Sequence, residues 1–263
     1  MDGSLRIGRW LFAIAMVFFG FEFFLYVAGM SGPLPGPPWS RGALFLDWLA
    51  CAGFIFAGVS IATGKMARLV ATFLGVVLLL YAVCRYMPMW LTRLHDPGPW
   101  TVLFEILAMV GGAWVLAAGF PADEKISYPN ETFVLQLANV GRYLIAISLV
   151  VFAVQHFLYA GFVANLIPGW IPARLFWAYF TGVAFVAAAL AIAAKKMMRL
   201  AAMLLGTMFF LWVLVLHIPR VAGSPRNGDE VTSLFVALAM SGVAFALAGV
   251  SPNSAKGAGF RKL

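Results

Sequence analysis

Long apolar stretches separated by short polar ones run through almost the whole chain of 263 residues. Each stretch holds about 20 residues, the length that an α-helix needs to cross the hydrocarbon core of a bilayer. The apolar residues form solid blocks rather than the short alternating strands of a transmembrane barrel. The pattern predicts eight transmembrane helices: Arg9–Ala28, Gly42–Ala62, Ala67–Pro88, Trp100–Gly119, Leu137–Gly161, Arg174–Ala194, Met198–Ile218 and Val231–Val250.

The composition supports this assignment. Apolar residues make up 63% of the chain and charged residues 11%, with a mean hydropathy of +0.94. Soluble globular chains are about half apolar and about a quarter charged. We therefore expect an all-α integral membrane protein. The first apolar stretch is too long and too aromatic for a cleaved signal peptide, so we keep it in the mature protein.

The 18 Lys and Arg residues are divided unequally between the two sides of the predicted helices. Twelve lie at the termini and in the loops on the same side, and six lie on the other side. Because cytoplasmic loops carry an excess of Lys and Arg, both termini are predicted to be cytoplasmic, in a bacterial inner membrane. The net charge of +8 is then a feature of a lipid surface, and we do not expect nucleic acid as a partner.

The chain also contains an internal repeat, which indicates how the helices are organised. The matching stretches are RWLFAIAMVFFGFEFFLY at 9–26 with RYLIAISLVVFAVQHFLY at 142–159, KMARLVATFLG at 65–75 with KMMRLAAMLLG at 196–206, and LAMVGGAWVLAAGFP at 107–121 with LAMSGVAFALAGVSP at 238–252. Four crossings return the chain to its starting side, so the two copies have the same orientation in the membrane.

We therefore predict two parallel-repeat four-helix bundles packed side by side. The first half is residues 1–121 and the second half is residues 137–252. A polar linker at 122–136 joins them, and a basic tail at 253–263 follows.

The second half resembles the DoxX-like membrane proteins of bacteria. The resemblance covers most of residues 140–250 and rests on QHFLYAGFVANLIPGWIPARLFWAYFTG, LHIPR and NGDEVTSLFVALAMSG. The first half departs from it, with Glu22 and Phe23 where the second half has Gln155 and His156. The resemblance implies a four-helix bundle and, because some members accompany oxidoreductases, oxidoreductase subunits as partners. It supplies no catalytic residues, and whether the protein is an enzyme stays open.

Polar side chains near the outer ends of the helices in the second half form a candidate ligand-binding site. His156 and His217 lie at the same predicted depth, and an imidazole can exchange a proton near neutral pH, ligate iron or hydrogen-bond a quinone carbonyl. The candidate binding residues are His156, His217, Gln155, Tyr159, Trp177, Tyr179 and Arg220. In the alternative, His156 donates to a backbone carbonyl beneath an ordinary belt of interfacial aromatic residues.

Two imidazoles beside aromatic rings suit a flat hydrophobic ligand with a polar head. We favour a quinone-like or lipid-like molecule over haem, because haem ligands usually lie deeper in a bundle and the first half has no second pair of histidines. No spacing typical of a metal site is present. No catalytic residue can be assigned.

The first half carries four ionisable side chains at the matching level: Glu22, Asp47, Arg85 and Glu105. Ionisable groups within a membrane span are costly, so they indicate a functional site or a buried ion pair. In the structural alternative, Arg85 pairs with Glu22 or Glu105, and Asp47 pairs with Arg41 or caps a helix.

The sequence therefore predicts a membrane protein that binds a small hydrophobic ligand at the periplasmic end of the second half, as the membrane part of a redox assembly. Two alternatives stay open. One is a scaffold or partner-binding protein whose buried charges only join helices. The other is a small-solute carrier, which the apolar inner halves of the helices disfavour. Walker, HExxH, GxSxG and CxxCH motifs are absent from the sequence.

Overall fold

The computed structural model describes residues 2–27, 44–122, 129–225 and 227–251, with the backbone alone for residues 26–27 and 44–47. All regular structure in these residues is helical. The helices are, in chain order, α1 (Gly3–Val27), α2 (Leu44–Thr63), α3 (Ala67–Thr92), α4 (Pro97–Gly119), α5 (Glu131–Leu158), α6 (Ala160–Leu166), α7 (Arg174–Ala193), α8 (Met198–Gly223) and α9 (Gly228–Gly249).

Seven helices in the described part of the chain are long and apolar enough to cross a membrane. They are α1, α3, α4, α5, α7, α8 and α9. The part of α2 with described side chains adds a shorter apolar helix, Trp48–Thr63. The predicted class, an all-α protein with several membrane-spanning helices, is confirmed.

Helix α5 begins earlier than the sequence pattern predicts. The Asn130 side chain accepts a hydrogen bond of 2.9 Å from the N–H of Phe133, so the helix begins at Glu131, within the predicted linker. Such a cap satisfies an N–H that has no partner inside the helix. Asp96 and Asn227 cap α4 and α9 in the same way.

Helices α3 and α8 each contain one π-helical turn, at Ala82–Tyr86 and Val213–His217. In each turn, a backbone N–H donates to the carbonyl five residues earlier. A proline follows, Pro88 in α3 and Pro219 in α8, and each helix continues for several residues beyond it. The helix can continue because proline is tolerated in the first turn of a helical segment, where its missing N–H would have no partner.

The helices form one packed body. Helix α1 packs along α2 and α9, while α4 packs along α3, α5 and α9. In α4 and α9, 67% of the most apolar stretch is buried, against 28% in α8, so α4 and α9 lie at the centre. The two halves therefore pack against each other through these central helices. The predicted domain boundaries stay a prediction.

Pairs of glycines allow the closest helix contacts. A Cβ atom on Gly141 of α5 would lie 2.7 Å from the carbonyl oxygen of Gly111 in α4. A Cβ atom on Gly8 of α1 would lie 2.6 Å from the carbonyl oxygen of Gly242 in α9. Both distances are far below van der Waals contact, so only glycine fits. Small residues at such crossings let membrane helices pack backbone to backbone.

Two arginines satisfy backbone carbonyls at one end of the molecule. The buried Arg142 of α5 donates to the carbonyls of Ile192 at 2.6 Å and Ala193 at 2.7 Å, at the end of α7. Arg9 of α1 donates to the carbonyl of Ala62 at 2.7 Å, near the end of α2. The last carbonyls of a helix have no partner inside it, and their negative potential attracts a cation. We call this the proximal end and the opposite one, which contains the start of α4 and α7, the distal end.

The chain start is fixed at the proximal end by an ion pair. Asp2 lies 3.1 Å from Arg199 of α8, which also donates to the carbonyl of Ala248 at 3.3 Å. Partial burial alone would raise the pKa of the Asp2 carboxyl. The hydrogen bonds from Ser4 and the charge of Arg199 outweigh burial, so that pKa lies below its usual value.

Candidate functional site

The distal end of the second half contains an open cleft of about 370 Å³. It lies between the end of α6, the loop that follows, the start of α7 and the last part of α8. Its lining residues are Asn165, Leu166, Ile167, Pro168, Gly169, Arg174, Pro219 and Arg220. The loop turns sharply because the N–H of Ile167 donates to Ala164 at 3.3 Å and the N–H of Ile171 donates to Pro168 at 3.0 Å. We call this space the distal cleft.

Arg220 connects the distal cleft to polar atoms on α8 and α9. Its guanidinium donates to Glu230 at 2.5 Å, and His217 lies within electrostatic reach of both groups. The Nδ1 atom of His217 and the Oε2 atom of Glu230 are buried and have no hydrogen-bond partner in the described part of the chain. A buried polar atom without a partner costs free energy, so these two atoms make this part of the packing between α8 and α9 unfavourable.

His156 lies in an aromatic niche. Its Nδ1 atom is 2.8 Å from the carbonyl oxygen of Phe152, one turn earlier in α5. Because a carbonyl only accepts hydrogen bonds, Nδ1 carries the proton and donates it. The imidazole stacks on Trp212, with ring centroids 6.3 Å apart, and meets Phe185 edge-on at 5.1 Å. This hydrogen bond is the one expected in the structural alternative, in which His156 donates to a backbone carbonyl.

The two histidines of the predicted site have different neighbours. His156 contacts α8 through Trp212, the residue before the π turn, whereas His217 ends that turn and faces the charges of Arg220 and Glu230. His156 thus lies among aromatic rings, whereas His217 lies three residues before Arg220, which lines the distal cleft. The common role predicted for them stays a prediction.

Gln155 faces α4 instead of the distal cleft. Its amide nitrogen donates to the carbonyl of Pro97 and its amide oxygen accepts from Thr101, both at 3.2 Å. The hydrogen bonds join the end of α5 to the start of α4. We call this pair of hydrogen bonds the Gln155 clasp.

Three further predicted residues lie on the outside of the helices. Tyr159, Trp177 and Tyr179 are 36%, 42% and 44% exposed. Tyr179 stacks on Phe157, with centroids 6.2 Å apart. They suit a lipid-facing aromatic belt near the distal cleft, which they do not line.

In the first half, the ion pairs proposed as the structural alternative are not formed within the described residues. The ion pairs among the described residues are Arg220–Glu230, within the second half, and Arg199–Asp2, between the two halves. Glu22 instead accepts a hydrogen bond from the Thr232 hydroxyl of α9. Arg85 lies over the ring of Tyr86, 5.6 Å from its centroid.

The other two ionisable residues of the first half are Glu105 and Asp47. Glu105 is partly buried in α4, four residues after Thr101. The Asp47 side chain and Arg41 lie outside the described residues, so their predicted pairing is not addressed. In the described part of the chain, no group of three or more His, Cys, Asp or Glu side chains is placed to hold a metal ion.

Sequence reasoning missed four residues that the geometry brings into these sites. Arg174 and Glu230 belong to the distal cleft and its charge pair, whereas Thr101 and Thr232 complete the hydrogen bonds of Gln155 and Glu22. The two threonines occupy equivalent positions of the predicted repeat, so the sequence offered a signal for them. Nothing in the sequence distinguished Arg174 from the other charged loop residues.

Residues 145–250 are similar to a family described as a domain of unknown function (DUF8561). This region is less than half of the chain and contains the distal cleft and both histidines. No curated protein and no solved structure matches the chain.

Proposed function

We propose that this protein binds an amphipathic, membrane-soluble molecule, quinone-like or lipid-like, at the distal cleft. The observation that carries the proposal is the cleft itself: a space of about 370 Å³ with two guanidinium groups and an amide, beside aromatic residues that face outward. Ligand sites in proteins usually combine apolar walls with a few placed polar groups. An amphipathic ligand would place its polar head in the cleft and its apolar part against the exposed rings.

The polar atoms around the cleft suit such a head group. Arg174, Arg220 and Asn165 line the cleft, and their N–H groups can donate to a ligand oxygen. His156 would act indirectly, because its ring stacks on Trp212, the residue before the π turn that ends at His217. In this proposal His156 positions the π turn, and His217, the last residue of that turn, positions the segment of α8 that carries Arg220.

We further propose that the chain is a tandem duplication of a DoxX-like four-helix unit in a bacterial inner membrane, with cytoplasmic termini and oxidoreductase subunits as partners. Three pairs of features at equivalent positions support the duplication. They are the π turns of α3 and α8, the glycine crossings Gly8–Gly242 and Gly141–Gly111, and the hydrogen bonds Glu22–Thr232 and Gln155–Thr101.

The test is an inventory of what co-purifies with the full chain in mild detergent, by mass spectrometry and visible absorbance. Binding of a short-chain benzoquinone is then measured by quenching of tryptophan fluorescence, because Trp170 and Trp177 lie near the cleft. The variant His156→Ala/His217→Ala should lose affinity about tenfold, the equivalent of roughly 1.4 kcal/mol. His95→Ala serves as the control, since His95 is exposed in the loop before α4.

A wild-type protein that carries no lipid or quinone and binds neither when they are added would contradict the proposal. In that case the second candidate, a scaffold or partner-binding membrane protein, would be preferred. The observation that favours it is that Gln155, predicted to bind the ligand, and Glu22, of the polar group of the first half, are used for hydrogen bonds between helices.

A further inference from the structure

The distal cleft contains more positive than negative charge. Arg174, the first residue of α7, and Arg220 of α8 both line it. Glu230 pairs with Arg220 at 2.5 Å and balances its charge. Arg174 forms no ion pair with any residue that the structure describes. One guanidinium charge at the cleft is therefore left without a carboxylate.

The other lining residues leave room beside this charge and add no carboxylate. Asn165 supplies an exposed amide, and the remaining positions are occupied by Leu, Ile, Pro and Gly. A Cβ atom on Gly169 would meet nothing within 4 Å, so the cleft is open at this point. A guanidinium group with free N–H donors in an open polar cleft suits phosphate or carboxylate oxygens.

An apolar path begins next to Arg174. Phe176, Trp177 and Phe180 lie on the same part of α7, with ring centroids 5.4 to 5.9 Å apart, and all three are exposed. Trp170, in the loop between α6 and α7, is 71% exposed. A hydrocarbon chain running along these rings would bring an attached head group to Arg174.

We infer that the distal cleft selects an anionic head group, a phosphate or carboxylate carried by a lipid, over a neutral or zwitterionic one. This inference rests on the proposed function and narrows its ligand class. Arg174 is the residue that provides the selectivity, because it is the cation of the cleft without a carboxylate partner in the described residues. The guanidinium of Arg220 is paired with Glu230, so Arg220 lines the cleft but does not provide the selectivity.

The experiment compares two lipids with identical acyl chains, the anionic phosphatidylglycerol and the zwitterionic phosphatidylcholine. Native mass spectrometry of the full chain in mild detergent measures the binding of each lipid to the wild type, to Arg174→Gln and to Arg93→Gln. Arg93 is the matched control, because it is an exposed arginine at the end of α3 and does not line the cleft. Inorganic phosphate is added as a competitor in a separate series.

The wild type should bind phosphatidylglycerol about fivefold more tightly than phosphatidylcholine, from roughly 1 kcal/mol for one arginine near a lipid surface. Arg174→Gln should remove that preference, and Arg93→Gln should keep it. Arg220→Gln/Glu230→Gln, which removes the ion pair as a unit, should also keep it. This double variant separates the role of Arg174 from a general loss of charge.

Equal binding of the two lipids by the wild type, or a preference that survives Arg174→Gln, would overturn the inference and leave the proposed function intact. Displacement of the lipid by inorganic phosphate at equal concentration would overturn the assignment to a lipid and indicate a free-anion site. Absence of binding for both lipids and for the benzoquinone would remove the proposed function as well.

Discussion

At the scale of single residues, hydrogen bonds between helices explain why a polar residue occurs at one point of two otherwise apolar helices. Gln155 near the end of α5 accepts from Thr101 of α4, and Glu22 near the end of α1 accepts from Thr232 of α9. Within a bilayer, such groups need protein partners because the lipid offers none. The recurring position therefore has a structural use in both halves, whatever ligand the distal cleft binds.

The Gln155 clasp can be tested by removing the hydroxyl of Thr101. Thr101→Val keeps the shape of the side chain but leaves the Gln155 oxygen without its donor, which should lower the free energy of unfolding by about 1 kcal/mol. Thermal unfolding in detergent, followed by circular dichroism, measures the change. Thr207→Val is the control, since the exposed Thr207 hydroxyl bonds only to the carbonyl of Met203 in its own helix. Equal melting temperatures for wild type and Thr101→Val would mean that the clasp contributes nothing.

At the scale of helices, backbone contact at glycine crossings determines which helices can lie together. The carbonyl of Gly111 is so close to Gly141 that an added methyl group would overlap it. Relief of the overlap would require α4 and α5 to move apart, and neighbouring side chains would lose contacts as well. The effect of one methyl group is thus spread along both helices.

Gly141→Ala should therefore destabilise the protein, by about 1–3 kcal/mol, the usual cost of overpacking. Gly53→Ala is the control, because Gly53 is an exposed glycine within α2 and a Cβ atom there meets nothing within 4 Å. That change should leave stability unchanged or raise it by up to about 1 kcal/mol through helix propensity. Equal melting temperatures for Gly141→Ala and Gly53→Ala would contradict the close contact between α4 and α5.

The helices themselves were predictable because the requirement for about 20 apolar residues leaves a strong signal in the sequence. The π turns at Ala82–Tyr86 and Val213–His217 were not, since an inserted helical residue changes neither composition nor hydropathy. Helix α6 was assigned to a loop and a span end, because seven residues are too few for a periodic pattern. At the site, His217 and Arg220 could be predicted from their residue types. The position of His156 apart from them could not, because it results from packing of the imidazole against Trp212.

At the scale of the whole molecule, the two halves depend on each other. Helix α1 of the first half packs along α9 of the second, and α4 of the first half packs along α5 of the second. Each half alone would expose the glycine faces that these contacts cover. A half produced alone would lack the neighbouring helices that it has in the intact chain.

This arrangement predicts the behaviour of a divided chain. With the chain cut between residues 122 and 129, the two pieces should associate when they are produced together, and a tag on one should recover the other. Each piece produced alone should aggregate or melt well below the intact protein, as followed by size-exclusion chromatography and thermal unfolding in detergent. Two separately monodisperse pieces with the melting temperature of the whole would show that the halves are independent bundles.

The packing of α1 along α9 also has a consequence for biosynthesis. At a ribosomal rate of about 5–20 residues per second, the roughly 200 residues between these helices require about 10–40 s. During that time α1 is in the membrane without its final neighbour, and its surface around Gly8 is open to lipid or to an insertion chaperone. The packing of α1 is thus completed only by a helix that is made roughly 200 residues later.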